Sequence, residues 1–175
     1  MRNDRRMWCA AVGMVLVATT GYAWADMDTA AATGEAEEKD WPAMIARLRQ
    51  QLDHWSGHAA TRAQLATAYN NYGVSLSKQG QLDEAIRQLE EARRLDPTSP
   101  QFRTNLAHIY LQMGQNAFEA RRFQEARQAV EQAIAVDAHI AQAYWLLGEI
   151  EYNSQRLKEA KAAWELALAL DPSLT

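Results

Sequence analysis

Cysteine is almost absent from this sequence, because the only one among its 175 residues is Cys9. A chain with a single cysteine forms no internal disulfide, so its stability has to come from the burial of apolar side chains. A domain of about 150 residues buries about 70% of the surface that its unfolded chain exposes. Core packing is therefore the expected source of stability.

A surplus of basic residues is also lacking. The chain has 18 Lys and Arg residues against 22 Asp and Glu residues, and its formal net charge is -4. Nucleic acids and anionic lipids attract proteins mainly through clustered cations. An acidic chain without a basic face argues against both as the main partner, and we expect a protein or peptide partner instead.

Catalytic motifs are missing too. The sequence has no zinc-protease histidine pair, no nucleophile elbow, no phosphate-binding glycine loop and no haem-attachment cysteine pair. His54 and His58 are four residues apart beside Asp53, a spacing that suits a metal site on one continuous helix. Ser56 and Gly57 lie between the histidines and favour a break in that helix. We predict no catalytic residue, no metal and no cofactor, and therefore not an enzyme.

The N-terminus has the pattern of a secretory signal peptide. Three arginines within the first six residues precede an apolar stretch, Met7–Thr20, and small residues follow at Ala23 and Ala25. The stretch is shorter than the about 20 residues that span a bilayer. We predict cleavage after Ala25, no membrane insertion after cleavage, and a periplasmic or secreted protein. The arginine pair Arg5–Arg6 leaves the general secretory and twin-arginine routes both open.

Residues of the same type recur along the chain in three copies of one pattern. Within each copy the spacing is the same, and the interval from the first copy to the second is longer than that from the second to the third. The three sets are Tyr69, Gly73, Ala85, Ala92 and Asp96; Tyr110, Gly114, Ala126, Ala133 and Asp137; and Tyr144, Gly148, Ala160, Ala167 and Asp171. Such self-similarity is typical of stacked helix-turn-helix units that bury their apolar faces against one another.

The spacing inside each unit resembles the tetratricopeptide repeat (TPR) family over roughly residues 66–175. The motif positions of the first unit are Tyr69, Tyr72, Gly73, Leu76, Ala85, Leu89, Ala92 and Pro97. Those of the second are Tyr110, Met113, Gly114, Ala117, Ala126, Val130, Ala133 and Ala138, and those of the third are Tyr144, Leu147, Gly148, Tyr152, Ala160, Trp164, Ala167 and Pro172. In the second unit, Ala138 replaces the final proline of the motif. In the third unit, Gln155 occupies the position of Gly80, which marks the inter-helix turn of the first unit. The resemblance implies an all-α, right-handed α-α superhelix, a solenoid of three helix-turn-helix units.

The pattern also divides the chain into segments. We expect a disordered acidic linker at 26–40 and an N-terminal capping helix at 41–57, whose apolar stripe is Trp41, Ile45, Leu48, Leu52 and Trp55. The TPR domain spans 58–175, with units at about 66–99, 107–140 and 141–174. Ser99 and Pro100 start a helix extension, 100–106, ahead of the second unit. A matching extension in the first unit could pack against it, or both could simply enlarge the core.

The resemblance implies that the concave face, lined by the first helix of each unit, holds a peptide or a partner helix. The residues projected onto this groove are Asn70, Val74, Ser77, Lys78, His108, Leu111, Gln115, Phe118, Gln142, Trp145, Glu149 and Asn153. Trp145 is expected either to anchor a partner or to pack against the neighbouring unit's second helix. Some TPR proteins clamp a terminal carboxylate with basic residues, and Leu111 and Trp145 occupy such positions here. We therefore expect no carboxylate clamp.

Two functions fit this sequence. The first is a non-enzymatic scaffold or adaptor of the cell envelope that binds a partner in the groove. The second is a self-assembling structural protein, because Trp164, Leu168 and Leu170 have no later unit to pack against. The second function predicts a homo-oligomer that forms through the C-terminal unit.

Overall fold

A computed structural model describes residues 40–54 and 58–174 of the protein. The predicted signal peptide, most of the predicted linker, and residues 55–57 at the end of the predicted capping helix, which include Trp55 of its apolar stripe, lie outside these residues. The described residues contain seven helices and no strand, which confirms the all-α prediction. The helices are α1 (Trp41–His54), α2 (Ala59–Lys78), α3 (Leu82–Leu95), α4 (Pro100–Glu119), α5 (Phe123–Val136), α6 (Ala141–Asn153) and α7 (Leu157–Leu170). None of them is both long and apolar enough to cross a membrane.

The helices pack as three antiparallel pairs, α2–α3, α4–α5 and α6–α7, and each pair also contacts the next. A glycine in the first helix of each pair faces a large side chain of the second helix. The three combinations are Gly73 with Leu89, Gly114 with Val130, and Gly148 with Trp164. A Cβ atom added at Gly114 would lie 2.6 Å from Val130 Cγ2, which is too close for a real contact. Glycine therefore allows the close helix approach that offsets its low helix propensity.

Helix α1 covers the first pair. The Ala43 amide N–H donates a hydrogen bond of 3.0 Å to Asp40 Oδ1, so Asp40 caps the start of the helix. Ile45 and Leu48 are buried in one apolar cluster with Leu65 and other residues of α2. Helix α1 therefore covers part of the apolar surface of α2.

The early start of α4 enlarges the core. Ser99 is the N-cap of α4, and its hydroxyl oxygen accepts a hydrogen bond from the Phe102 N–H. Phe102 is buried in the same cluster as Leu65 and Ala66, which lie in the early part of α2. Residues ahead of both motifs, Leu65 and Phe102, therefore contribute to one core cluster.

A buried charge replaces the expected aromatic in the third unit. Glu151, seven residues after Tyr144, is 2% exposed, and Tyr152 is 58% exposed. The corresponding residues of the earlier units, Leu76 and Ala117, are also buried. The sequence-based assignment of Tyr152 to this position was wrong, because it favoured an aromatic residue one position away over an acidic residue in the correct helical register.

Glu151 is neutralised where three helices meet. Its Oε1 atom lies 3.0 Å from Arg127 Nε of α5, and its Oε2 atom contacts Arg156 at the start of α7. Arg127 also lies 3.0 Å from Glu131. A buried carboxylate requires such partners, because burial of an isolated charge is strongly unfavourable. We call Glu151, Arg127 and Arg156 the buried charge cluster.

Regularly spaced aspartates mark the end of each second helix. Asp96, Asp137 and Asp171 follow α3, α5 and α7 as C-caps. Asp137 is the buried one of the three, and burial alone would raise its pKa. Hydrogen bonds from the His139 N–H and the Thr104 hydroxyl, with the charge of Arg103, outweigh burial and lower the pKa of Asp137. Asp137 thus ties the α5–α6 connection to α4.

The three inter-helix turns share one backbone conformation. In each turn, the second residue after the end of the first helix has a positive φ. The angle is 79° at Gly80, 57° at Arg121 and 63° at Gln155. Glycine adopts this left-handed conformation without steric cost, whereas other residues are strained by it. Gln155 therefore does occupy the place of the turn glycine, as the alignment of the units predicts.

Candidate partner-binding groove

Helices α4 and α6 line an open groove of about 400 Å³. Its lining residues are His108, Leu111, Gln112 and Gln115 of α4, Gln142, Trp145, Leu146 and Glu149 of α6, and Leu174, which follows α7. We call this concavity the α4–α6 groove. The four residues of α4 and the four of α6 occupy equivalent positions of the second and third units.

The helical repeat explains why these side chains share one surface. His108, Leu111, Gln112 and Gln115 follow the spacing of three and four residues that places side chains on one helix face. Gly114 and Gly148 lie on an adjoining face of α4 and α6, where they pack against the second helix of each pair. The groove is therefore the face of each first helix that the pair itself leaves uncovered.

Half of the twelve residues projected onto the groove from sequence line it. They are His108, Leu111, Gln115, Gln142, Trp145 and Glu149. Val74, Ser77 and Lys78 belong to α2, and Phe118 and Asn153 lie toward the C-terminal ends of α4 and α6, so the structure places them outside this groove. The side chain of Ser77 donates a hydrogen bond of 3.0 Å to the Val74 carbonyl, and the Phe118 ring packs 5.8 Å from Phe123.

Asn70 is buried, with 2% of its surface exposed. Asn105 Nδ2 of α4 donates a hydrogen bond of 2.7 Å to Asn70 Oδ1, and Asn70 Nδ2 donates one of 3.1 Å to Asn71. Both ends of the Asn70 amide are thus used inside the protein. Its position supports the α2–α4 contact and leaves no polar atom pointing to a partner.

Three lining residues were missed from sequence. Gln112 and Leu146 lie one position beyond predicted Leu111 and Trp145, and a wider helical face would have included them. Leu174 lies beyond the last helix, and its contribution depends on how the chain turns after Asp171. The repeat pattern contains one indication that Leu174 packs against the helices: the equivalent residue of the preceding unit, Ile140, is buried.

Trp145 connects the groove to the last helix. Its partly buried ring lies 6.3 Å from the Trp164 ring of α7, and Trp164 in turn lies 5.9 Å from the exposed Tyr152 ring. Trp145 therefore packs against the second helix of its own unit and lines the groove at the same time. Such a supported aromatic ring offers a rigid apolar surface for a partner side chain.

The charges of the groove are few. Its lining includes the carboxylate of Glu149, the imidazole of His108 and the amides of Gln112, Gln115 and Gln142, and it includes no Lys or Arg. A terminal carboxylate bound here would lack the cations that usually hold it. Among the described residues, no group of three or more His, Cys, Asp or Glu side chains is placed to hold a metal ion.

Comparisons with known proteins agree with the repeat pattern. A family model described as TPR repeat matches residues 73–114, and one described as tetratricopeptide repeat matches residues 111–174. No curated protein matches this chain.

Solved structures provide further relatives. The first TPR of Spaghetti (RPAP3) bound to an HSP90 peptide is 31% identical, with 63% of this chain and 82% of that chain covered and a TM-score of 0.42. The first TPR domain of human RPAP3 is 30% identical over 63% of this chain and 82% of that one, with a TM-score of 0.41. A crystal structure of MamA is 24% identical over 77% of this chain and 71% of that one, with a TM-score of 0.39. Because the two repeat models together match residues 73–174, more than half of the chain, the chain belongs to the tetratricopeptide repeat family.

Proposed function

We propose that this protein is a non-enzymatic adaptor of the cell envelope that holds a segment of a partner protein in the α4–α6 groove. TPR proteins are generally protein–protein interaction modules, and their stacked helices build concave binding surfaces. The observation that carries the proposal is the groove itself, where apolar and amide side chains of two successive repeats converge.

The chemistry of the groove defines the kind of partner. Leu111 and Trp145, which are only partly buried, provide apolar surface for one or two side chains of the bound segment. Gln115 and Gln142 are exposed amides that can both donate to and accept from a peptide backbone. The absence of Lys and Arg from the lining favours an internal segment over an acidic C-terminus. A peptide with the sequence SRMEEVD, which is bound by the Spaghetti (RPAP3) domain, is therefore a suitable negative probe.

The cell envelope is proposed from the N-terminal sequence. The arginines, the apolar stretch Met7–Thr20 and the small residues Ala23 and Ala25 have the order of an export signal. Fractionation of the host cells and N-terminal sequencing of the purified protein test this point. A protein that starts at Asp26 in the periplasmic or secreted fraction supports it, and a cytoplasmic protein that starts at Met1 contradicts it.

Site-specific photocrosslinking in the host tests the groove. A photoreactive phenylalanine analogue replaces Gln115 or Gln142, both of which are exposed in the groove. Gln128 and Gln132, exposed on α5 and outside the lining, are the matched control positions. We expect a discrete crosslinked product from the two groove positions only. Equal products from all four positions, or none from the groove, would contradict the proposal.

The same experiment in a Leu111→Ala background sharpens the result. Loss of the Leu111 side chain removes apolar contact area from the groove, so the crosslinked product from Gln142 should weaken, whereas Gln128→Ala should leave it unchanged. Circular dichroism shows whether both variants keep their helices. A product that Leu111→Ala leaves intact would mean that the partner binds elsewhere on the surface.

Self-assembly through the C-terminal unit is the second candidate function. It is favoured by the exposed leucines of α7, among them Leu157 at 61% and Leu166 at 52% exposure. Oligomers that form without any other protein would favour this function over the adaptor.

A further inference from the structure

Glu149 differs from the other acidic residues in 40–54 and 58–174. It is the one partly or fully buried carboxylate there that has neither an ion pair nor a side-chain hydrogen bond. The others each have such a partner, and they are Glu84, Glu91, Asp96, Asp137, Glu151 and Asp171. The Asn153 amide, one turn further along α6, donates to the Glu149 backbone carbonyl and not to its carboxylate. Because partial burial weakens hydration without compensation, a cation from a bound partner would stabilise this carboxylate.

Trp145 lies beside Glu149 on the same face of α6. The two residues are four positions apart, a spacing that makes side chains neighbours on a helix, and both line the α4–α6 groove. The contact with Trp164, 6.3 Å between ring centroids, supports the Trp145 ring from the side of α7. The π face of an indole and a carboxylate both attract positive charge. Together, Trp145 and Glu149 have the chemistry that recognises a basic side chain.

The surroundings of Glu149 favour the same sign of charge in a partner. The groove lining contains no Lys or Arg, and its histidine, His108, is two helical turns away from Gln115. Gln115 is the equivalent of Glu149 in α4, and its amide donates a hydrogen bond of 2.9 Å to Glu119. A second carboxylate therefore lies next to this part of the groove. Lys78, equivalent to Glu119 in α2, lies outside the lining.

The helix ends add to this field. Gln115 and Glu149 lie in the C-terminal parts of α4 and α6, which end at Glu119 and Asn153. The C-terminal end of a helix carries partial negative charge, so it attracts cations and disfavours anions. The side chains and the backbone at this part of the groove therefore select against an acidic segment.

We propose that the segment bound in the α4–α6 groove carries a basic side chain, arginine in preference to lysine, which packs against Trp145 and pairs with Glu149. Arginine is preferred because its planar guanidinium stacks on aromatic rings and directs paired N–H groups toward a carboxylate. Leu111, across the groove on α4, contacts an apolar neighbour of that arginine. This inference rests on the adaptor function proposed above, and it adds the chemical class of the bound segment.

A phage-displayed library of random peptides tests the preference on the purified protein. Selection on the wild type should enrich arginine with an apolar neighbour by at least about five-fold over the unselected library, and lysine by less. Glu149→Lys reverses the charge and should abolish that enrichment. Asp53→Lys, the same reversal at an exposed position of α1, is the matched control and should select the same peptides as the wild type. A wild-type selection without enrichment of basic residues, or one that Glu149→Lys leaves unchanged, would overturn the proposal.

The most enriched peptide, made synthetically with a fluorescent label, measures the size of the effect by anisotropy. We expect it to bind Glu149→Gln about 10-fold more weakly than the wild type, and Glu149→Lys at least about 100-fold more weakly. Replacement of its arginine by glutamate should restore binding to Glu149→Lys. A misfolded variant could not give this restoration, so it identifies direct pairing. Equal affinity of the wild type and Glu149→Gln would contradict a role for the carboxylate.

The photocrosslinks from Gln142 keep this inference apart from the adaptor function. The crosslinked product should disappear when Glu149→Lys is added and should remain with Asp53→Lys. A product that persists with Glu149→Lys would mean that the groove holds its partner without a basic contact, so this inference would fail and the adaptor function would stand. A groove that gives no product in the otherwise wild-type protein would contradict the adaptor function and, with it, the basis of this inference.

Discussion

The first and last repeat units share a tyrosine–glycine framework but are joined to the array by different chemistry. In the first unit, Leu76 is buried seven residues after Tyr69, and α1 covers the outer face of α2 with apolar side chains. In the last unit, Glu151 is buried seven residues after Tyr144, and the outer face of α7 is exposed. The repeat thus fixes the position of a side chain in the core without fixing its polarity.

This difference separates two requirements that a repeat has to meet. Close packing within a pair depends on glycine opposite a large residue, and all three units keep it. Packing between neighbouring pairs tolerates either apolar side chains or an ion-paired carboxylate. Either one fills the space between the helices and leaves no buried charge without a partner. The two ends of the array differ, because α1 covers α2 whereas leucine side chains of α7 are exposed.

The largest expected effect comes from breaking the buried charge cluster. Glu151→Ala leaves Arg127 and Arg156 without their shared carboxylate, and we expect a loss of about 3–5 kcal/mol in the free energy of unfolding. Leu76→Ala, at the equivalent position of the first unit, removes only apolar contacts and should cost about 2–4 kcal/mol. Urea denaturation followed by circular dichroism measures both. Equal small losses would show that the charge cluster is solvated and contributes little.

A double variant distinguishes lost charge from lost packing. The variant Arg127→Ile/Glu151→Ala changes the contact between α5 and α6 to the residues found between α3 and α4. Ile86 of α3 is equivalent to Arg127, and Ala117 of α4 is equivalent to Glu151. Arg156 can then pair with Glu159, as Arg122 pairs with Glu125 at 2.7 Å. We expect the double variant to regain most of the stability that Glu151→Ala loses. A double variant less stable than Glu151→Ala would contradict this explanation.

The second prediction compares the two ends directly. Leu48 is 6% exposed under α1, whereas Leu166 is 52% exposed on α7. Leu48→Ala should cost about 2–4 kcal/mol in unfolding free energy, because it leaves a cavity between α1 and α2. Leu166→Ala should change it by less than about 0.5 kcal/mol, because an exposed side chain has few contacts to lose. A Leu166→Ala loss as large as that of Leu48→Ala would mean that Leu166 is covered in the folded protein.

The third prediction concerns the aspartate that is buried in the middle unit. The pKa of Asp137 is lowered in the folded protein, so its contribution to stability is present above the unfolded-state pKa, about 3.9, and is lost as the pH falls through the folded-state value. Asp137→Asn should lower the unfolding free energy by about 1–2 kcal/mol near neutral pH. Wild type and variant should converge as the pH drops below about 4 in thermal denaturation. A difference that stays constant with pH would argue against a role for the charge.

Much of the fold could be predicted because the repeat encodes it in residue type. The regular recurrence of tyrosine and glycine predicts the helix pairs, and Ser99 followed by Pro100 predicts the start of α4. Six of the nine residues that line the α4–α6 groove were among those projected from the family resemblance. Glu151 could not, because sequence gives no sign that Arg127, in another repeat, lies beside it. Contacts between units are set by packing, and the repeat pattern describes mainly contacts within a unit.

The smallest expected effect tests the inter-helix turns. Gln155 holds a positive φ of 63°, where a non-glycine residue is strained by about 1 kcal/mol, and Gly80 holds the equivalent place of the first unit. Gln155→Gly removes the strain but adds backbone freedom to the unfolded chain, so we expect a net gain of about 0.5 kcal/mol. Gly80→Ala should lose about 1 kcal/mol by the reverse argument. Thermal denaturation of both variants at one protein concentration measures the two changes. A Gln155→Gly variant that is less stable than the wild type would contradict this prediction. It would mean that the Gln155 side chain stabilises the turn by more than its backbone strain costs, and that the last turn differs from the first in this respect.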